Sequence, residues 1–171
     1  MQRWSDYRTT FQQRYDRLKG SILQSGSTEI GPFINPISKG HTGAPWRTDW
    51  AIIFSDGLYV RAKECFGRCA GFPPQMGQRQ SLSFHYGEAH AGRDNSGMPL
   101  LANAPAAIIR IDLDPRQGPH LHYEGEDHIP QSRVDGFSIS DADLFNFMEA
   151  ISQHRRNGVS LLPLFNIKLR P

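Results

Sequence analysis

"AIIRIDLDPRQGPHLHYEGE", residues 107–126, alternates apolar and polar side chains on both sides of a turn that carries Pro115 and Gly118. Alternation of period two is the mark of a half-buried strand, and two such runs around a turn predict an antiparallel hairpin. Side chains alternate faces along a strand, so Ile109, Ile111, Leu113, Leu121 and Tyr123 fall on one side. Arg110, Asp112, Asp114, His120, His122 and Glu124 fall on the other. With residues 115–119 as the turn, Asp114 is expected opposite His120, Asp112 opposite His122 and Arg110 opposite Glu124, an acid against a base in each pair.

The same reading extends outward. In "DWAIIFSDGLYVRAKECF", residues 49–66, Ser55-Asp56-Gly57 stands between two β-branched and aromatic runs, which is a strong hairpin signal. "SLSFHYG", residues 81–87, alternates as a further strand. Residues 31–48 hold three prolines and three glycines and read as loop, as do 67–80 and the long polar stretch 88–106. "SISDADLFNFMEAISQHRRNG", residues 138–158, is the clearest helix, with Ser140 as N-cap, a stripe of Leu144, Phe147, Met148 and Ile151, and Asn157-Gly158 as its end. The tail, 159–171, is apolar enough for a last strand with Pro163 at a sheet edge. Trp4, Tyr7, Phe11, Tyr15, Leu18 and Ile22 recur at spacings of three and four, so residues 1–24 read as an amphipathic helix packed on its own domain or on a partner chain. The whole is a single α+β domain over 1–171, with an antiparallel sheet and a C-terminal helix between 50 and 171.

A chain of 171 residues can bury a sufficient core without disulfides or a structural metal. Nineteen basic residues against 17 acidic ones are too balanced to argue for nucleic-acid binding by net charge, though a local basic patch is allowed. Cys65 and Cys69 build no disulfide framework and lack a second cysteine pair, so both are expected reduced and metal-free. Without an apolar run of signal-peptide or membrane-span length, the expectations are a cytoplasmic location and no membrane partner.

The polar side of the hairpin is where chemistry is expected. Register alone does not need histidine, which is mostly neutral at pH 7 unless a carboxylate raises its pKa. Two histidines beside carboxylates are what general acid–base catalysis uses, one as base and one as acid. His120 and His122 are the candidate pair, Asp112 and Asp114 orient them, and Arg110 binds phosphate or a negative transition state. Arg133, His85 and Tyr123 are candidate substrate contacts. The same His-x-His with an aspartate opposite offers two nitrogens and an oxygen to a metal, which is the alternative. A solvated face that only pins the hairpin is the third reading.

The run "RIDLDPRQGPHLHYEGEDHIP" followed by "DADLFNFMEAI" resembles the TumE-type toxins of bacterial toxin–antitoxin systems and related defence-associated domains, over roughly residues 50–155. The matching pieces are Ser55-Asp56-Gly57, Arg110 to Asp114, Pro119 to His122, Ile129-Pro130 and Asp143 to Ile151. The resemblance implies a compact sheet domain with a C-terminal helix, an antitoxin protein as partner and RNA as substrate. The expectation is thus a toxin-like ribonuclease with no cofactor, which a second copy of the chain can join as a homodimer. Its rivals are a non-enzymatic binding module and a metal-dependent hydrolase.

Overall fold

The structure, a computed structural model, describes residues 2–24, 27–35, 46–68, 70–72, 76–93, 99–101 and 107–171. Along the chain these form β1 (Gln2–Arg3), α1 (Trp4–Gln24), β2 (Ser27–Asn35), β3 (Trp46–Phe54), β4 (Leu58–Arg68), β5 (Met76–Arg93) and β6 (Pro99–Leu101). They continue as β7 (Ala107–Asp114), β8 (Gly118–Tyr123), β9 (Glu126–Pro130), β10 (Val134–Asp135), α2 (Leu144–Asn157), α3 (Leu161–Leu164) and β11 (Lys168–Leu169). The main sheet runs β2-β3-β4-β5-β7-β8-β9, every pair antiparallel, with β1 and β6 also on β5. The protein is an α+β domain, as the hairpin pattern predicts.

One face of this sheet is apolar and carries the helices. Ile52, Val60, Tyr86 and Ile109 form one row across four strands, and Ala62, Phe84, Ile111 and Leu121 the next. All eight are buried. Phe147 of α2 packs on Phe84, with ring centroids 5.6 Å apart. Phe11 of α1 meets Phe145 of α2 edge to face at 5.1 Å. The aromatic stripe of α1 is therefore spent on the chain's own core: Phe11 and Tyr15 are buried, and Tyr7 and Leu18 pack on their margin. The side chains of Trp4 and Ile22 lie outside the described residues.

Several boundaries differ from those expected. Residues 27–35 are an edge strand, where Pro32 is tolerated because an outer strand leaves some N–H groups unpaired. β5 spans 18 residues and takes in both the end of the supposed loop at 67–80 and the start of the one at 88–106. The tail folds as the single turn of α3 and then pairs β11 with β10, so Pro163 stands in a helical turn and not at a strand edge. Cys65 is a free thiol, while Cys69 lies outside the described residues.

The C-terminal helix starts later than Ser140. Asp143 is its N-cap: Oδ1 accepts the N–H groups of Phe145 and Asn146, both at 3.0 Å, while Ile139–Asp141 form a 3-10 turn. Arg14 of α1 donates two hydrogen bonds to the same carboxylate, at 2.7 and 2.5 Å. Burial alone would raise the Asp143 carboxyl, but Arg14 and the capped N–H groups hold it below the ordinary value. Asp143→Ala is expected to cost about 1 to 2 kcal/mol, mostly the cap, because the ion pair is partly wet. Thermal unfolding of this variant checks it, and an unchanged melting temperature would show the cap to be idle.

Candidate active site on the polar face of the sheet

The opposite face of the sheet repeats the row logic with polar residues. Arg61, His85, Arg110 and His122 stand opposite one another across β4, β5, β7 and β8. Lys63, Ser83, Asp112 and His120 form the adjacent row. The pairing across the hairpin is two residues away from the expected one: Asp112 faces His120, Arg110 faces His122 and Asp114 faces Gly118. A shift of two keeps every side chain on its face, so the division of the hairpin into apolar and polar sides survives. The cause is a shorter turn. Asp114 Oδ1 accepts the N–H groups of Arg116 and Gln117 at 2.7 and 3.0 Å, and Gly118 follows with φ 76°, a conformation glycine adopts without strain.

Asp112, His120 and His122 meet. His120 Nε2 and His122 Nε2 lie 3.5 and 3.4 Å from Asp112 Oδ2, and Arg110 Nε lies 2.6 Å from the same oxygen. This is no solvated face, because Asp112, His120 and His122 are only 3%, 3% and 7% exposed. Burial pushes the Asp112 carboxyl up, but His122, Arg110, Ser83 and His120 outweigh it and hold the group below its ordinary value. Asp112 is thus an anion shared by two imidazoles and a guanidinium.

The backbone orients each ring. His120 Nδ1 lies 2.9 Å from the Gly118 carbonyl oxygen, which can only accept, so Nδ1 carries a proton and Nε2 is the ring atom turned toward Asp112. His122 Nδ1 accepts a long contact, 3.5 Å, from the N–H of His128. Both Nε2 atoms point at one carboxylate oxygen. They do not flank a gap in which a phosphate would have an acid on one side and a base on the other. The expected acid–base pair therefore acts as one unit at a single end of a substrate.

The remaining candidates are distributed differently. Asp114 lines the same cavity but is occupied in capping the turn. His85 shares the polar face but is fully buried, stacked on Tyr59 with centroids 5.3 Å apart. It underlies the site and cannot touch substrate. Tyr123 is on the helix-bearing face, in one row with Ile109, so it is no substrate contact of this site. Arg133 pairs with Glu126 and donates to the Arg170 carbonyl, fastening the chain's end beside β9.

Sequence reasoning missed His128. It lies on β9 with φ 59°, exposed, and its ring stacks on that of His120 at 4.2 Å with planes 2° apart. The signal was the Glu124-Gly125 turn, which sends the chain back along β8 and brings the next histidine over the first pair. Also missed was the setting. Asp112, His120 and Arg110 line a cavity of about 390 Å³ together with Ser83, Arg47 and Lys63. A larger cavity of about 780 Å³ lies on the helix side, but its charged groups serve each other. There Tyr7 donates to Glu64, and Arg79 binds Glu64 and the Ser140 and Ala142 carbonyls, which ties α1 and the approach to α2 onto β5.

Comparison with family models, with curated proteins and with solved structures gives no match, so the site is read from its own geometry. Among the described residues no helix is long and apolar enough to cross a membrane.

Proposed function

We propose that the protein is a toxin-like nuclease that cleaves phosphodiester bonds of RNA at the polar face of its sheet. The observation that carries this reading is the convergence of Asp112, His120 and His122 with Arg110, beside a cavity that Asp112, His120 and Arg110 line together with Arg47 and Lys63. Phosphodiesters are anionic, and guanidinium and ammonium groups around a recess hold them by charge-assisted hydrogen bonds. Arg110 is the group nearest the cluster and is assigned to the reacting phosphate. The imidazole–carboxylate cluster activates the nucleophile.

RNA as substrate, an antitoxin protein as partner and a cytoplasmic setting come from the resemblance of residues 50–155 to TumE-type toxins. A homodimer has no support from α1, whose described stripe already packs at home.

Because the cluster is buried, substitutions must keep its polar character. His120→Gln and His122→Gln are expected to lower RNA cleavage about 10²-fold each, the scale of losing a group that moves a proton or activates a nucleophile. The measurement is degradation of a defined RNA by purified wild type and both variants, with circular dichroism as the check on folding. Wild type that leaves RNA intact, or variants that cleave as it does, would overturn the nuclease reading and leave a binding module.

A further inference from the structure

We propose that Asp112, His120 and His122 together bind one divalent transition-metal ion of the zinc type. The inference rests on the nuclease reading only for its catalytic consequence; metal binding is tested separately.

The first argument is spacing. The three donor atoms lie within 4.8 Å of one another, and both nitrogen-to-oxygen separations, 3.5 and 3.4 Å, are long for hydrogen bonds. They match the edge of a tetrahedron around a metal. Bonds of about 2.0 to 2.2 Å set at the tetrahedral angle leave donor atoms about 3.3 to 3.6 Å apart.

The second argument is the state of the donors. His120 Nδ1 bonds the Gly118 carbonyl, and this outer bond fixes the ring and leaves Nε2 as the atom that can meet the ion. Ligating imidazoles are commonly held this way. Arg110 Nε lies 2.6 Å from Asp112 Oδ2 as a counter-charge, yet that buried oxygen accepts no hydrogen bond, so its lone pairs are left for the ion. The third argument is rigidity, because the donors come from two neighbouring strands, with Asp112 directly opposite His120, and are buried. His128 is not a ligand. Its ring is parallel to that of His120, so its own lone pairs lie in a separate plane.

Three protein donors leave a fourth position open, as in hydrolytic zinc sites, where bound water ionises near neutral pH. Applied to the nuclease reading, the bound hydroxide adds to phosphorus and the P–O bond to the leaving ribose oxygen breaks. That oxygen keeps the electron pair and takes a proton from solvent water. Two imidazoles and a carboxylate suit zinc and its transition-metal neighbours, and suit magnesium poorly.

The test uses the full chain, stripped with chelator and titrated with zinc against a chromophoric competitor. One zinc per chain is expected, with magnesium showing none. His122→Gln and Asp112→Asn should weaken binding at least tenfold, while His128→Ala keeps one ion per chain. If a variant fails to fold, the wild type decides: cobalt should give the intense visible bands of a four-coordinate site. No uptake, variants that bind as tightly as wild type, or a cobalt spectrum like that of the free aqueous ion would each overturn the metal site. Zinc bound without RNA cleavage would sustain the metal and refute the nuclease. Cleavage in excess chelator by a chain that takes up no zinc would do the reverse.

Discussion

Asp112→Ala is expected to lower stability by about 3 kcal/mol, the lower end of what breaking a buried ion pair from one side costs. The Asp112 side chain is 4% exposed and stands in β7, with Arg110, His120 and His122 all close to one of its oxygens. Without it the guanidinium loses its counter-charge in a poorly hydrated place. The lower end applies because the Arg110 side chain is 29% exposed and can recover some water. Asp112→Asn keeps the shape and an acceptor and should cost less. Urea unfolding of both variants measures the difference. An alanine variant as stable as wild type would mean that the cluster is not balanced by its carboxylate.

Between pH 6.5 and about 4, the wild type should lose about 3 kcal/mol of stability through His85 alone. Burial, aided by the Arg110 guanidinium, lowers this imidazole from 6.5 to about 4. Above pH 6.5 the ring is neutral in both the folded and the unfolded chain and contributes no pH dependence. As the pH falls below 6.5 the unfolded chain takes up a proton that the folded chain refuses, so stability drops until the folded ring also titrates near 4. Each pKa unit of difference is worth about 1.4 kcal/mol. Burial raises the Glu64 carboxyl, and this opposes the trend. The decisive quantity is therefore the difference between wild type and His85→Phe, whose ring can keep the stack on Tyr59. Parallel pH profiles for the two proteins would refute the assignment.

The faces of the β7–β8 hairpin were legible because alternation is a local property, written in each residue and its second neighbour. The register was not. Pro115 and Gly118 announce a turn, but the shorter loop is chosen by the Asp114 side chain capping two N–H groups, a contact that spacing does not display. The helix start was misplaced for a similar reason. Ser140 and Asp143 are both good caps, and Arg14, far away in sequence, bonds the second one. The second half of β2, residues 31–35, looked like loop because glycine and proline lower strand propensity, and only pairing along β3 overrides them. His128 escaped notice because a residue on the next strand joins the pair only through the fold-back at Glu124-Gly125. Burial of the polar face was equally invisible, since Arg61, His85 and Asp112 carry the chemistry of surface residues.

The bond between Arg14 and Asp143 spans 129 positions, and Phe11 meets Phe145 across a similar length of chain. Hairpins such as β3–β4 and β7–β8 close within a few residues, but α1 has no complete seat until α2 exists. During synthesis, then, Phe11 remains without its aromatic partner on α2 while more than a hundred residues are added behind it. The helix made early is the piece that docks late. A nascent chain carrying such an unsheltered stripe is a natural client for chaperones, and the half-made protein is at its most vulnerable to aggregation just before α2 emerges from the ribosome.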